Sequence, residues 1–430
     1  MSKLIVQGPT KLKGNYQPVG NKNSVLKLIP TSILFSGDYT LTNVPGISDV
    51  EIMLKILEEM GASVIYDKAH SKVTINTNNL NTSDVPKDLA RKLRSSVSFI
   101  GPLLARFGKV SSIFPGGDKI GPRELKAHFE SLAQLDVQFS GNEWGEFELN
   151  TKELNGETVF LYEPSVTATE NIILAVATKT SPTKIVGAAC EPHVQELCSF
   201  LVDAGVEIKG IGSNVLEIVG KKELHAIKEH RIWTDYLDVC TGIIAAAITN
   251  SSIDITDVRE EDLVTIRFFY QQLGLNWESL GEGRIRVNAA QKLTVKDPNW
   301  ARIKGIYSQA WYGFPSDLMS ITIVLAMAVK GNTLFFEKLY PDRMSFVNYF
   351  NAAGGNIITC DPHRIVVNGP TVLNGFNYLA PDLRAGMAYF LAALASNGRS
   401  EIWGAEHIDR GYPDTLTRFT NLGANIELIS

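Results

Sequence analysis

The chain has 430 residues, of which 44% are hydrophobic and 20% charged, with a net charge of −5. That length exceeds what one hydrophobic core usually organises, so two domains are expected, and the composition is that of a soluble globular protein. The mild acidity argues against a general nucleic-acid surface, so an anionic ligand would need a local concentration of Lys and Arg. Met1 to Pro9 lacks the apolar run of a signal peptide. The longest apolar stretch, Leu318 to Val329, is broken by Ser320 and Thr322 and is too short for a membrane span. Cys190, Cys198, Cys240 and Cys360 show neither a CxxC nor a metal-ligand spacing, which suggests reduced thiols in a cytoplasmic protein, most of them small core residues.

In chain order, Tyr39 to Val44 reads as a strand, and Ser48 to Leu57 has helical spacing with Ser48 or Asp49 as N-cap. Gly61 then stops the helix ahead of an alternating run. Pro115 to Arg123 holds three glycines and two prolines, so it is a loop, and it carries Asp118, Lys119 and Arg123. Its charges fit an active-site loop for an anionic substrate, and they also fit an ordinary surface turn. The helix-end phrase of Leu57 to Val64 returns at Leu132 to Phe139, Leu201 to Ile208, Gln271 to Trp277, Phe350 to Ile357 and Phe419 to Ile426. Its turn position falls at 61, 136, 205, 274, 354 and 423, and Asp136 stands where the other five have Gly. Ser251 to Ile255 and Thr333 to Phe336 read as further strands between these phrases. Six αβ units of about seventy residues are too long for ordinary solenoid repeats. Three packed together would make one domain, and six would make two similar ones.

Several short motifs lie in a fixed order along this frame. They are Val6-Gln7-Gly8-Pro9, Gly20-Asn21-Lys22-Asn23, Gly101 to Gly108, the loop Pro115 to Arg123, Ser165 to Asn171, Phe314-Pro315-Ser316-Asp317, Asp382-Leu383-Arg384 and His407 to Tyr412. Together they resemble the enolpyruvyl transferases, nearly end to end, and most closely the members that act on a UDP-sugar. The resemblance implies an α/β fold of two inside-out αβ barrel domains, each from three βαβαββ repeats. One domain would be 22–232 with the catalytic loop 115–123; the other would be 1–21 plus 233–430, with the active site in the cleft between them. The implied reaction moves the enolpyruvyl group of phosphoenolpyruvate to the 3-hydroxyl of UDP-N-acetylglucosamine, the first committed step of peptidoglycan synthesis. Other acceptors (another nucleotide, or shikimate 3-phosphate) and a non-catalytic paralogue that binds nucleotide sugars are the alternatives. No metal, cofactor, nucleic acid or membrane insertion is implied, and the chain would be a monomer or weak homo-oligomer.

The reaction must protonate C3 of phosphoenolpyruvate, stabilise oxocarbenium character at C2 and remove the proton of the attacking hydroxyl. By resemblance, Asp118 is the general acid/base, in a position where most relatives carry cysteine. Asp317 is the base at the sugar hydroxyl, although its setting ahead of an apolar helix also fits an N-cap. Lys22, at the start of a helix, would meet phosphoenolpyruvate with the help of helix amides, and Asn23 would meet the UDP-sugar. Arg123, Arg384 and Arg410 would bind phosphate and carboxylate, where a planar fork is better than lysine; Arg410 is also counted as catalytic. Arg94, Lys126, Ser165, Val166, Leu339 and Arg343 complete the implied substrate contacts. His407 and Asp409 flank Arg410, but no Ser or Cys nucleophile accompanies them. The chain departs from the family mainly on the nucleotide side. Lys126 stands for an Asp, Glu163 for a Lys, Cys190 for an Arg, and Tyr236 for a frequent Arg. A carboxylate at 118 is a far poorer nucleophile than a thiolate, so resistance to fosfomycin is expected.

Overall fold

The computed structural model describes residues 2–117, 124–225, 227–296 and 304–429. They fold into two compact units, one running from Gly20 to Trp233 and the other combining residues up to Val19 with those from Thr234 onward. Among the described residues the strands form six small sheets, five of four strands and one of three.

Each sheet belongs to one βαβαββ repeat. In the first, the strand Glu229–Arg231 leads and pairs in parallel with Asp38–Thr42. The helix Lys22–Thr31 comes before Asp38–Thr42, and the helix Ser48–Glu59 after it. The hairpin Ser63–Asp67 and Lys72–Asn76 closes the repeat antiparallel. The second repeat reduces its leading strand to a parallel bridge between Asp84 and Ser111. In the other unit the N-terminal segment completes two repeats. Lys13–Tyr16 leads the sheet that holds Ser252–Ile255, and Lys3–Gly8 lies between Gly398–Trp403 and Asn425–Ile429.

The six recurring phrases are the helix-to-hairpin corners. Gly61, Gly205, Gly274, Gly354 and Gly423 have φ between 82° and 107°, and Asp136 has φ of 60°. At each corner a left-handed residue turns the chain out of an outer helix, and Asp is among the few non-glycine residues that accept that conformation. The strands expected at 39–44, 251–255 and 333–336 are found at Asp38–Thr42, Ser252–Ile255 and Gly331–Phe336. Neither Ser48 nor Asp49 caps its helix. The N-cap is Ile47, without a side-chain hydrogen bond, and Asp49 is buried against Lys22 instead.

The first helix of every repeat is internal, with the sheets outside. In one unit the helices Tyr236–Ile248, Ser316–Ala328 and Leu383–Ala395 pack on one another. Each residue from Tyr236 to Ala247 and from Leu383 to Leu394 is buried. A helix buried on all sides is mostly apolar, its buried charges Asp238 and Arg384 being paired with Arg418 and Asp317, and the alanines of these segments let the axes approach closely. Ser316–Ala328 buries every residue except Asp317 and Ala328. In the other unit, Ile100–Phe107 packs on Val166–Val176, and Lys22–Thr31 on the 3₁₀ turn Arg94–Phe99. Asn171 joins these pieces, accepting from the Gly101 amide at 2.8 Å and donating to the Val97 carbonyl at 3.0 Å. No helix among the described residues is long and apolar enough to cross a membrane.

Candidate active site

In the unit from Thr234 onward, the side chains of Asp317, Arg343 and Arg384 come together. Asp317 is in the first turn of Ser316–Ala328, but the N-cap is Pro315, which makes no side-chain cap bond. The capping alternative for Asp317 therefore fails. Its two carboxylate oxygens are instead taken by two guanidinium groups. Arg343 Nη2 donates to Oδ1 at 2.9 Å and Arg384 Nη2 to Oδ2 at 2.8 Å. Asp317 keeps 31% of its side chain exposed while Arg343 and Arg384 keep only 6% and 7%. Solvent thus reaches the acid on a helix that is closed to it from Leu318 to Met327.

Arg384 is placed by its own helix start, where the Asp382 side chain accepts from the backbone N–H groups of Arg384 and Ala385. Burial opposes its charge, but Asp317, Tyr412 and Asp235 more than offset that, and its pKa is raised. Leu339 is exposed, on a loop whose amides are held from beneath by Glu337. That carboxylate is fully buried; it accepts from the Leu339 and Tyr340 amides and from the hydroxyls of Ser308 and Ser316. A lone Glu after an apolar strand carries no sequence signal for this role. Arg410 is the C-cap of the short helix Ala405–Asp409 and is half-buried.

In the unit from Gly20 to Trp233, Lys22 opens its helix and is held by Asp49, with Nζ to Oδ2 at 2.7 Å and both side chains largely buried. The amides of Asn23 and Ser24 already donate to the Asn21 side chain, at 2.8 and 3.1 Å. The anion site expected from helix amides at Lys22 is therefore corrected to a lysine ammonium whose position is set by Asp49. Arg94 Nη2 donates to the Glu124 carbonyl at 3.3 Å. Arg94, Glu124 and Lys126 share an open cavity of about 570 Å³ with the rings of Phe114, Phe129 and Phe139. Lys126 lies 3.6 Å from Glu130 and 5.6 Å from the centre of the Tyr162 ring, which brings it toward the segment that carries Ser165. Ser165 N-caps the helix Val166–Val176 by accepting from the Ala168 amide.

Asp118 and Arg123 lie outside the described residues. The stem of their loop is fixed at Gly116, where a Cβ would come within 1.9 Å of the Arg91 carbonyl oxygen. No side chain fits there, which accounts for that glycine. The remaining departures from the family pattern are structurally mild. Tyr236 is buried against Trp311 with ring centres 5.5 Å apart, beside the N-cap Asp235. Glu163 is exposed. Cys190 is buried, and burial pushes its thiol up to about 11. Among the described residues no group of three or more His, Cys, Asp or Glu could hold a metal ion.

The chain matches the EPSP synthase (3-phosphoshikimate 1-carboxyvinyltransferase) family over residues 6–419. It is 41% identical to the UDP-N-acetylglucosamine 1-carboxyvinyltransferase of Treponema denticola, with 100% of this chain and 99% of that one covered. The proteins of the same name from Borrelia garinii and Bradyrhizobium diazoefficiens are 40% and 39% identical, covering 100% and 99% of this chain and 99% and 97% of theirs. Among solved structures, the enolpyruvyl transferase NikO of Streptomyces tendae superposes with a TM-score of 0.87 at 21% identity, over 99% of this chain and 98% of that one. An EPSP synthase of Acinetobacter baumannii gives 0.77 at 18%, with both chains covered completely. At those identities the two structures establish the fold.

Proposed function

This chain belongs to the enolpyruvyl transferase family, and on that premise we propose that it transfers the enolpyruvyl group of phosphoenolpyruvate to the 3-hydroxyl of UDP-N-acetylglucosamine, releasing phosphate. The observation that carries this is identity near 40% along the whole chain to proteins named for that activity. The reaction would open peptidoglycan synthesis in the bacterial cytoplasm.

In the proposed mechanism C3 of phosphoenolpyruvate takes a proton from Asp118, and C2 becomes electrophilic. The sugar 3-hydroxyl attacks C2 while Asp317 takes its proton. The tetrahedral adduct then loses a proton from C3 to the Asp118 carboxylate as the C2–O bond to phosphate breaks, leaving the enol ether, and the proton held by Asp317 leaves with the phosphate. Each step conserves charge with one acid/base at C3 and one base at the hydroxyl. Asp317 suits the second role because both of its oxygens are fixed in direction, so little reorganisation is needed when the hydroxyl arrives. Lys22, Arg123, Arg384 and Arg410 are proposed for the phosphate and carboxylate, and a buried guanidinium such as Arg384 is a stronger anion partner than an exposed one. Asn23, Arg94, Lys126, Ser165, Val166, Leu339 and Arg343 are proposed for the acceptor side.

The test is phosphate release from phosphoenolpyruvate with UDP-N-acetylglucosamine, other nucleotides and shikimate 3-phosphate offered in parallel. Turnover with the UDP-sugar is expected. Turnover with shikimate 3-phosphate alone would overturn the acceptor assignment.

A further inference from the structure

Against Arg384 lies Tyr412, the last residue of the motif His407 to Tyr412, to which neither the resemblance nor the proposed mechanism gives a role. Tyr412 is 1% exposed, and its hydroxyl accepts from Arg384 Nη1 at 2.8 Å. The guanidinium carbon also lies 5.5 Å from the centre of the Tyr412 ring. Tyr412 is in turn pinned by its backbone. Its amide donates to the Ile408 carbonyl at 2.9 Å, and its carbonyl accepts from Thr415 Oγ1 at 2.6 Å. The result is a relay of fixed contacts: Thr415 and Ile408 hold Tyr412, Tyr412 holds one Nη of Arg384, and the other Nη of Arg384 holds Oδ2 of Asp317.

We propose that Tyr412 is a positioning residue that sets the orientation of Arg384, and through it Asp317, for enolpyruvyl transfer. The planar guanidinium swings as a rigid fork by rotation about the bonds of its stem, Cδ–Nε among them, and one partner at Nη2 does not stop that. A second partner at Nη1 does. Tyr412 itself is too deeply buried to touch a substrate, so its influence must pass through Arg384. Phenylalanine at 412 would keep the ring and its packing and remove only the hydroxyl. Arg384 would then have one buried N–H without an acceptor and a freer plane.

The inference rests on the functional reading above, and the experiment separates the two. Wild-type protein, Y412F, R384K and the double variant are assayed for phosphate release with UDP-N-acetylglucosamine and for the rise in melting temperature that phosphoenolpyruvate produces. Y412F should lower kcat/KM for phosphoenolpyruvate by about tenfold, the scale expected when a reacting group is misplaced by a fraction of an ångström. Its KM for the UDP-sugar should stay within about twofold, because the relay ends on the catalytic carboxylate and not on the nucleotide. On the R384K background the same change should cost less than about twofold, because the group being oriented is gone. Y412F at wild-type efficiency, or a tenfold loss that persists in R384K, would overturn the role. A lower melting temperature with unchanged kinetics would reduce Tyr412 to a packing residue and overturn it too. If R384K has no measurable turnover, the cycle is read from the phosphoenolpyruvate-dependent melting shift, with the same criterion of non-additivity. Absence of phosphate release from wild type with every acceptor would instead refute the functional reading, and the melting-shift cycle would still decide the relay.

Discussion

Asp317 is the residue on which the proposed chemistry turns, and its surroundings make a sharp prediction. Asp317→Asn keeps the shape but replaces one acceptor oxygen by an amide that cannot accept from a guanidinium. Turnover should fall by about a hundredfold or more, as for loss of a general base. The fold should survive, since 31% of the side chain faces solvent. A circular dichroism melt beside the phosphate assay checks both halves; near wild-type turnover would remove Asp317 from the mechanism. Asp118 makes the second residue-scale prediction. Fosfomycin needs a thiolate to alkylate, so the wild type should resist it, and Asp118→Cys should become sensitive to time-dependent inactivation. Covalent labelling of the wild-type chain, read by mass spectrometry, would contradict this. Lys22 and Arg384 stand out in the sequence from the order of motifs, but their partners do not. Asp49 has the sequence setting of a cap and is the counter-ion of Lys22. Glu337 gives no sign at all, and Tyr412 shows as the end of a motif but not as the partner of Arg384, because a buried polar side chain is recognised by what surrounds it and not by its neighbours in the chain.

At the scale of elements, the six corners form an internal experiment in one chain. Five use glycine and the second uses Asp136, with φ of 60° and its side chain exposed. Asp136→Gly should therefore change stability by less than about 1 kcal/mol, since relief of the left-handed strain is offset by a floppier unfolded chain. Gly274→Ala is the opposite case. It has φ of 82°, and a Cβ there would lie 2.3 Å from the Lys292 carbonyl oxygen. It should cost more than about 2 kcal/mol, measured by urea denaturation. Equal effects of the two substitutions would refute the steric account of Gly274. The repeat itself is legible in the sequence because each corner needs the same rare backbone conformation, which few residue types supply. The leading strands are not legible as members of their repeats. Lys13–Tyr16 and Glu229–Arg231 are four and three residues long and pair with segments hundreds of positions away.

For the molecule as a whole, two buried titratable groups in the unit from Gly20 to Trp233 should govern the pH dependence of stability, with opposite signs. His128 is fully buried, and neither ring nitrogen has a protein partner among the described residues. Burial, helped by Arg94 and Lys27, lowers its pKa from 6.5 to about 3. The unfolded chain binds a proton there that the folded chain does not, so stability present above pH 6.5 is lost as the pH falls toward 3, by about 1.4 kcal/mol per pH unit. Glu170 faces Lys27 at 3.2 Å, yet burial raises its pKa from 4.5 to about 7. Its contribution is complete below pH 4.5 and is lost as the pH rises through 7. Between these limits the two slopes oppose each other. His128→Phe should unmask a stability that falls from pH 4.5 to 7, and Glu170→Gln one that falls below pH 6.5, both read from urea midpoints. Parallel curves for the two variants would refute the assignment. The sequence by itself determined the repeat, the α/β class, the family and the reaction class, because glycine corners and short motifs depend on local backbone geometry and on the order of residues along the chain. Only the tertiary structure decided that Asp317 is clamped rather than capping, that the helix amides after Lys22 are already occupied, and that Tyr412 stands behind Arg384. Those facts are contacts between segments far apart in the chain, and local pattern carries no record of which distant side chain a buried charge will meet.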